Sequence, residues 1–318
     1  MEITGLNLKS PRLPNRLEGI LLAGAGAIAF SGKAIIVKLA YRYGVDAVTL
    51  IMYRMLFALP LFLALSWWAG RDQPPLTGAD LRLLTGLGFS GYYLASFLDF
   101  LGLQYISANL ERLILYLNPT IVLAIGALRF STPVTARQCI ALLVSYLGVC
   151  VVFGHDMTVV GTHVALGSAL VLASAVSYAL YLVFSGQALK RLGAIRITGV
   201  ASSIACLLCI AQFFILRPPS AMIVAPRVIG LSVLNATLCT VLPVMLVMIA
   251  IKRVGASVAA QAGIIGPVST IILSVLILGE PFTGWVAAGT VLVLFGIWLL
   301  VNSHTPTPRP PSSARPSR

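Results

Sequence analysis

The sequence predicts an all-α membrane protein whose ten transmembrane helices form a 5+5 inverted repeat. Three observations lead there: unbroken apolar blocks, basic residues gathered beside alternate blocks, and a proline–threonine pattern that occurs once in each half.

The chain has 318 residues, 58% hydrophobic and 10% charged. A soluble domain carries about 25% charged residues. A bilayer core takes about 20 apolar residues per helix, and such blocks run nearly end to end here. A membrane β-barrel would instead show alternation in strands of about ten residues. These blocks are continuous and rich in Leu, Ala, Val and Gly. A net charge of +13 would suggest nucleic acid in a soluble protein. Here the basic residues flank apolar blocks, and no basic face with interleaved aromatics exists. No nucleic-acid partner is expected.

Residues 1–16 read as a cytoplasmic N-terminal leader with Lys9, Arg12 and Arg16. The first apolar block is too long for a cleavable signal and reads as a retained helix. Ten spans follow: Leu17 to Tyr41, Val45 to Ala69, Leu81 to Gln104, Ala108 to Phe130, Thr135 to Gly154, His163 to Gln187, Ile197 to Arg217, Val228 to Ile251, Ala256 to Leu278 and Gly284 to Asn302. They group as five-helix units over 17–154 and 163–302. The proline-rich stretch 303–318 buries no apolar surface and reads as a disordered cytoplasmic tail. Of the connecting Lys and Arg residues, fifteen fall on the side of the termini. Only Arg42, Arg217 and Arg227 fall on the other. Excess positive charge marks the cytoplasmic face, so both termini are expected there, in a bacterial inner membrane.

Aligning the halves on Pro119 and Pro267 also brings Ala108 onto Ala256, Pro133 onto Pro281, Thr135 onto Thr283 and Gly148 onto Gly296. An odd number of helices per unit inserts the second copy upside down. Inverted repeats are an architecture of secondary transporters, with the substrate site at mid-membrane between the copies.

The stretch from Ser31 to Ala58, with Gly32, Lys38 and Arg54, resembles the opening of an EamA-type domain of the drug/metabolite transporter superfamily. The run Leu278-Gly279-Glu280-Pro281-Phe282-Thr283, after Gly266-Pro267, is similar to the end of the same domain. The resemblance implies a ten-helix permease with a central cavity, often exporting amino acids or related metabolites. The first copy departs from the motif, with Phe130-Ser131-Thr132 where the second has Leu278-Gly279-Glu280.

Ionisable residues inside spans cost about 2.5–3.5 kcal/mol each and are functional candidates by default. Here they are Lys33, Lys38, Arg54, Asp99, Glu111 and Arg112, all in the first half. Tyr92, Ser96 and Asp99 share a helical face. Asp99 is a candidate to receive a coupling proton, or to pair with Lys33 or Lys38. Lys33 is the deeper lysine and a natural partner for a substrate carboxylate; Lys38 can snorkel. Arg54, near mid-membrane, is expected to find carbonyls or an acid, or to lock the first two helices. Glu111 and Arg112 open the fourth span, where neighbouring opposite charges are expected to satisfy each other. Arg112 shares a face with Tyr116 and Pro119, and Glu111 with Asn118. Pro119 and Pro267 are expected to kink their helices at matching repeat positions, as hinges or binding-site markers. In the second half Tyr178, Tyr181, Asn235 and Gln261 offer neutral polar contacts.

No metal site or cofactor is expected. Cys206 and Cys209 form an isolated C-x-x-C that reads as small buried side chains. Gly88-Phe89-Ser90-Gly91 matches a rhomboid-type serine motif, yet His155 and His163 lie at span ends, far from its depth. The chain is therefore read as a transporter rather than an enzyme. Its expected partners are the bilayer, a small polar solute and a coupling proton. An exchanger of another metabolite class is the alternative, and an intramembrane serine hydrolase a distant one.

Overall fold

The computed structural model describes residues 13–71, 73–130, 134–160, 163–254, 258, 262–263 and 265–301. The expected tail over 303–318, most of the expected leader over 1–16, and Gln261 lie outside them.

The described residues are helical throughout, with no strand among them. The α-helices are α1 (Leu13–Tyr41), α2 (Ala47–Gly70), α3 (Gly78–Leu87), α4 (Ala95–Gly102), α5 (Ala108–Leu115), α6 (Asn118–Phe130), α7 (Ala136–Val160), α8 (His163–Leu192), α9 (Ala194–Leu216), α10 (Pro226–Ala236), α11 (Leu242–Val254), α12 (Ile265–Leu273) and α13 (Gly284–Val301). Seven runs are long and apolar enough to cross a bilayer, and Ile265–Leu278 and Gly284–Leu300 are shorter apolar helices. The expected third span is assembled differently, from α3, a π-helical stretch and α4.

Side-chain caps fix several helix starts. The Asp46 carboxylate accepts from the amides of Val48 and Thr49, at 3.0 and 3.3 Å, and opens α2. Thr77 and Asp80 form a reciprocal capping box on α3. Ser107 Oγ accepts from Leu110 N at the start of α5. Each supplies an acceptor to first-turn amides that have no partner within the helix.

Two departures from regular helix sit at corresponding repeat positions. Gly88–Leu94 is a π-helix joining α3 to α4, and Thr237–Val241 is one joining α10 to α11. A π-turn leaves carbonyls without their usual amide; Thr240 Oγ1 donates to one of them, Asn235 O, at 2.8 Å. A third, Ser274–Leu278, extends α12.

Pro119 does not kink one continuous fourth helix. The chain turns at Tyr116–Leu117, and Pro119 falls in the first turn of α6. A missing amide costs nothing there. Pro267 likewise sits near the start of α12.

The helix pairing is its own image under exchange of halves. α2 packs on α9, and α7 on α13. α1 against α11 corresponds to α8 against α4, and α1 against α12 to α8 against α5 and α6. α5 meets α12 at the centre.

The α7–α13 seam depends on glycine. A Cβ added at Gly148 would lie 2.6 Å from Gly289 O. Gly148→Val should therefore destabilise the detergent-solubilised protein by about 1–3 kcal/mol through overpacking. Gly230→Ala, whose methyl meets nothing within 4 Å, should be neutral or stabilising by up to about 1 kcal/mol. Thermal melts of the two variants against the parent check both directions.

Candidate functional site

Three helices of the first half bring ionisable side chains together. Lys33 on α1 donates to Asp99 Oδ2 on α4 at 2.6 Å, and lies 3.3 Å from Glu111 Oε1 on α5. Glu111 is 0% exposed, Asp99 2% and Lys33 6%. Asp99 Oδ1 and both oxygens of Glu111 receive no hydrogen bond. The ammonium is thus divided between two carboxylates, neither of which is saturated.

Glu111 and Arg112 do not satisfy each other. Consecutive helical residues point about 100° apart, so the two side chains diverge. Glu111 faces Lys33, while Arg112 donates to Thr270 Oγ1 and Ser31 Oγ, each at 2.8 Å. Its guanidinium also lies over the rings of Phe30 and Tyr116, at 5.3 and 5.9 Å. Ser31 Oγ lies 2.9 Å from Gly266 O, and Tyr116 OH donates to Gly263 O at 3.0 Å. Arg112 therefore joins α1 and α5 of the first half to α12 of the second.

Arg54 makes the same kind of crossing from α2. Its Nε donates to Thr240 Oγ1 at 3.0 Å, and its guanidinium sits 5.2 Å from the Phe100 ring centre. Nη1 is buried without a partner.

The Leu278-Gly279-Glu280 run has a mechanical role. Gly279 takes φ 72°, a left-handed conformation that ends the π-helix and that glycine adopts without steric cost. Glu280 N then donates back to Ser274 O at 3.1 Å. This turn carries the Glu280 carboxylate to the amide of Ala108, which it accepts at 2.9 Å. A carboxylate at a helix start satisfies a first-turn amide and complements the helix dipole. The second repeat thereby caps a helix of the first.

Beside this cap lies a cavity of about 690 Å³, lined by Lys38, Tyr41, Arg42, Asp46, Gln104 and Glu280 among others. Three of its donors are tied down, while Glu280 Oε2 has no hydrogen-bond partner. Lys38 donates to Ile106 O at 2.8 Å, Arg42 to Leu278 O at 2.5 Å and Tyr41 OH to Phe100 O at 2.6 Å. The opposite end is packed. A Cβ at Gly26 would come within 3.1 Å of Val247 Cγ2. Glu18 is ion-paired with Arg253 there, and Asp80 with Arg191.

The model of the EamA-like transporter family matches twice, over residues 17–154 and 165–302. The chain belongs to the EamA-like transporter family. It is 30% identical over 270 residues to the uncharacterized transporter YcbK of Bacillus subtilis, covering 82% of this chain and 86% of that one. It is 24% identical over 293 residues to the uncharacterized transporter YetK of the same organism, covering 91% and 88%. A protein crystal structure with 16% sequence identity shares the fold at TM-score 0.60, over 89% of this chain and 96% of that one. The family and the two Bacillus subtilis relatives are named as transporters, and this EamA-like chain is a transporter rather than an enzyme. Ser90 Oγ donates to Gly86 O, while His155 and His163 lie beside Trp285 and Tyr105.

The remaining candidates from the sequence are scattered. Tyr92 and Tyr181 meet edge to face, their hydroxyls 3.3 Å apart, and Tyr178 stacks on Tyr181. This aromatic group belongs to the α3–α8–α9 packing, apart from Asp99. Ser96 is half-buried on α4, one turn before Asp99. Asn235 is buried and its Oδ1 has no partner; Asn118 Oδ1 is likewise orphaned. Ser31, Tyr41, Thr240 and Thr270 were not singled out from the sequence. Ser31, Thr240 and Thr270 are revealed only by their contacts with arginines on other helices, and Tyr41 by its bond to Phe100 O.

Removing the shared cation leaves two facing carboxylates. Lys33→Met should destabilise the solubilised protein by about 3–5 kcal/mol, the cost of breaking a buried charge pair from one side. The triple change Lys33→Met, Asp99→Asn, Glu111→Gln should recover most of that loss. Melting temperatures of the two variants in detergent check the order.

Proposed function

We propose that this protein is a secondary permease that moves a small polar metabolite out of the cell by alternating access. On this reading the chain crosses the inner membrane ten times, with both termini cytoplasmic and the two five-helix units inverted. The α3–α4 run and the two shorter apolar helices then count as crossings. The excess of cytoplasm-side Lys and Arg supports that orientation. The 690 Å³ cavity then faces outward, and the Glu18–Arg253 end faces the cytoplasm.

The observation that carries the reading is the Lys33–Asp99–Glu111 group, buried where helices of the two repeats meet. Charges held at that depth against their desolvation cost are expected on a substrate or ion path. Rocking of one repeat against the other would expose the group to each side in turn. The π-turns at Gly88–Leu94 and Thr237–Val241 supply matching weak points in the hydrogen-bond ladder. A proton on Asp99 or Glu111 is the coupling ion in this scheme, because protonation of either carboxylate frees Lys33 to pair with the other alone.

The test is flux in proteoliposomes under an imposed pH gradient, using a panel of radiolabelled L-amino acids. The parent should show gradient-driven transport of at least one member. Asp99→Asn should abolish the gradient dependence while leaving expression intact. An unchanged pH dependence in that variant would remove Asp99 as the coupling site.

A further inference from the structure

The chain contains nine acidic residues. Glu18, Asp46 and Asp80 are paired with Arg253, Arg217 and Arg191. Asp156 accepts from Ser107, and Glu280 caps α5. Asp99 and Glu111 share Lys33. Glu2 and Asp72 fall outside the described residues. No described carboxylate lies within 4.0 Å of Arg54 or Arg112.

Both arginines are 5% exposed, and each is met by hydroxyls and aromatic rings instead of an acid. Hydroxyls and ring faces lower the cost of a buried guanidinium without neutralising it. Arg54 is the less satisfied, since its buried Nη1 donates to nothing. The buried group holds Lys33, Arg54 and Arg112 against Asp99 and Glu111, a balance one negative charge short of neutral. A buried cation without a counter-ion is stable only if something supplies the charge.

A chain of contacts links Arg54 to the cavity wall. Tyr41 lines the cavity and donates to Phe100 O, and the Phe100 ring lies against Arg54. Opening the Tyr41–Phe100 contact would connect the cavity to the guanidinium. Lys33, the partner expected from the sequence for a substrate carboxylate, is already engaged twice.

We propose that the transported solute is an organic anion whose carboxylate seats on Arg54, using its unpartnered Nη1, under the Tyr41–Phe100 contact. This rests on the permease reading and assigns its substrate class. One added carboxylate neutralises the buried group, so net anions are selected over zwitterions, neutral solutes and cations. Arg112 sets the field alongside and ties the seat to the second repeat through Thr270.

The test uses three probes of similar shape at neutral pH and matched ionic strength: N-acetyl-L-alanine (anion), N-acetyl-L-alaninamide (neutral) and L-alaninamide (cation). Thermal unfolding of the full chain in detergent reads binding. Only the anion should raise the melting temperature saturably. Its apparent Kd should weaken at least roughly tenfold in Arg54→Gln, the loss of one charge-assisted hydrogen bond, and be largely kept in Arg54→Lys. If Arg54→Gln does not fold, the parent's order among the three probes and the Arg54→Lys response still decide. No saturable anion effect, a preference for the cation, or equal binding in Arg54→Gln overturns the proposal. Proteoliposome flux of these probes separates the two levels. Transport without anion preference overturns the substrate class and leaves the permease standing. Anion binding without transport of any probe supports the seat and counts against the permease.

Discussion

Lys33 placed between Asp99 and Glu111 is the contact on which the rest of the molecule depends. Three charges have left both water and lipid surroundings, and each would be very costly there alone. Their mutual attraction in a low-dielectric interior offsets that cost only while α1, α4 and α5 stay in register. The helices therefore cannot shift independently. A movement that separates them must change the protonation or the partners of the group. On the proposed permease reading, conformational change and charge state are tied to the same atoms.

The second repeat supplies what the first lacks. It brings almost no charge of its own to the seam, but Thr240 and Thr270 receive the arginines of the first repeat. Its Gly279 turn delivers Glu280 to the start of α5. The first copy has Phe130-Ser131-Thr132 at the corresponding place, so the carboxylate cap occurs at one end of the molecule. Two units of the same fold thus meet through unlike chemistry: charges from one, hydroxyls and a capping acid from the other. The chemistry of the two units diverges although the helix pairing stays symmetric.

Much of this was legible in the sequence. The apolar blocks and the matching prolines and threonines indicated a doubled helical protein, and the short set of intraspan charges indicated where to look. Depth along the two helices left Asp99 to pair with Lys33 or Lys38, and only the fold selects Lys33. The divergence of Glu111 and Arg112 was misread, because adjacency in sequence was taken as adjacency in space, whereas a helix sends neighbours to different faces. The π-turn at Gly88–Leu94 could not be foreseen, because no composition rule signals one. Pro119 was correctly read as a break but placed within one helix. The partners of the arginines are threonines and a serine, residues too common in membrane helices to be distinguished without the fold.

The shared ammonium is open to direct measurement. Solid-state NMR can detect dipolar coupling between lysine ¹⁵Nζ and carboxyl ¹³C of aspartate and glutamate in the protein reconstituted in lipid. The account predicts strong dephasing at both an aspartate and a glutamate, lost together in Lys33→Met. Dephasing that persists in that variant, or that is absent from the parent, would contradict it.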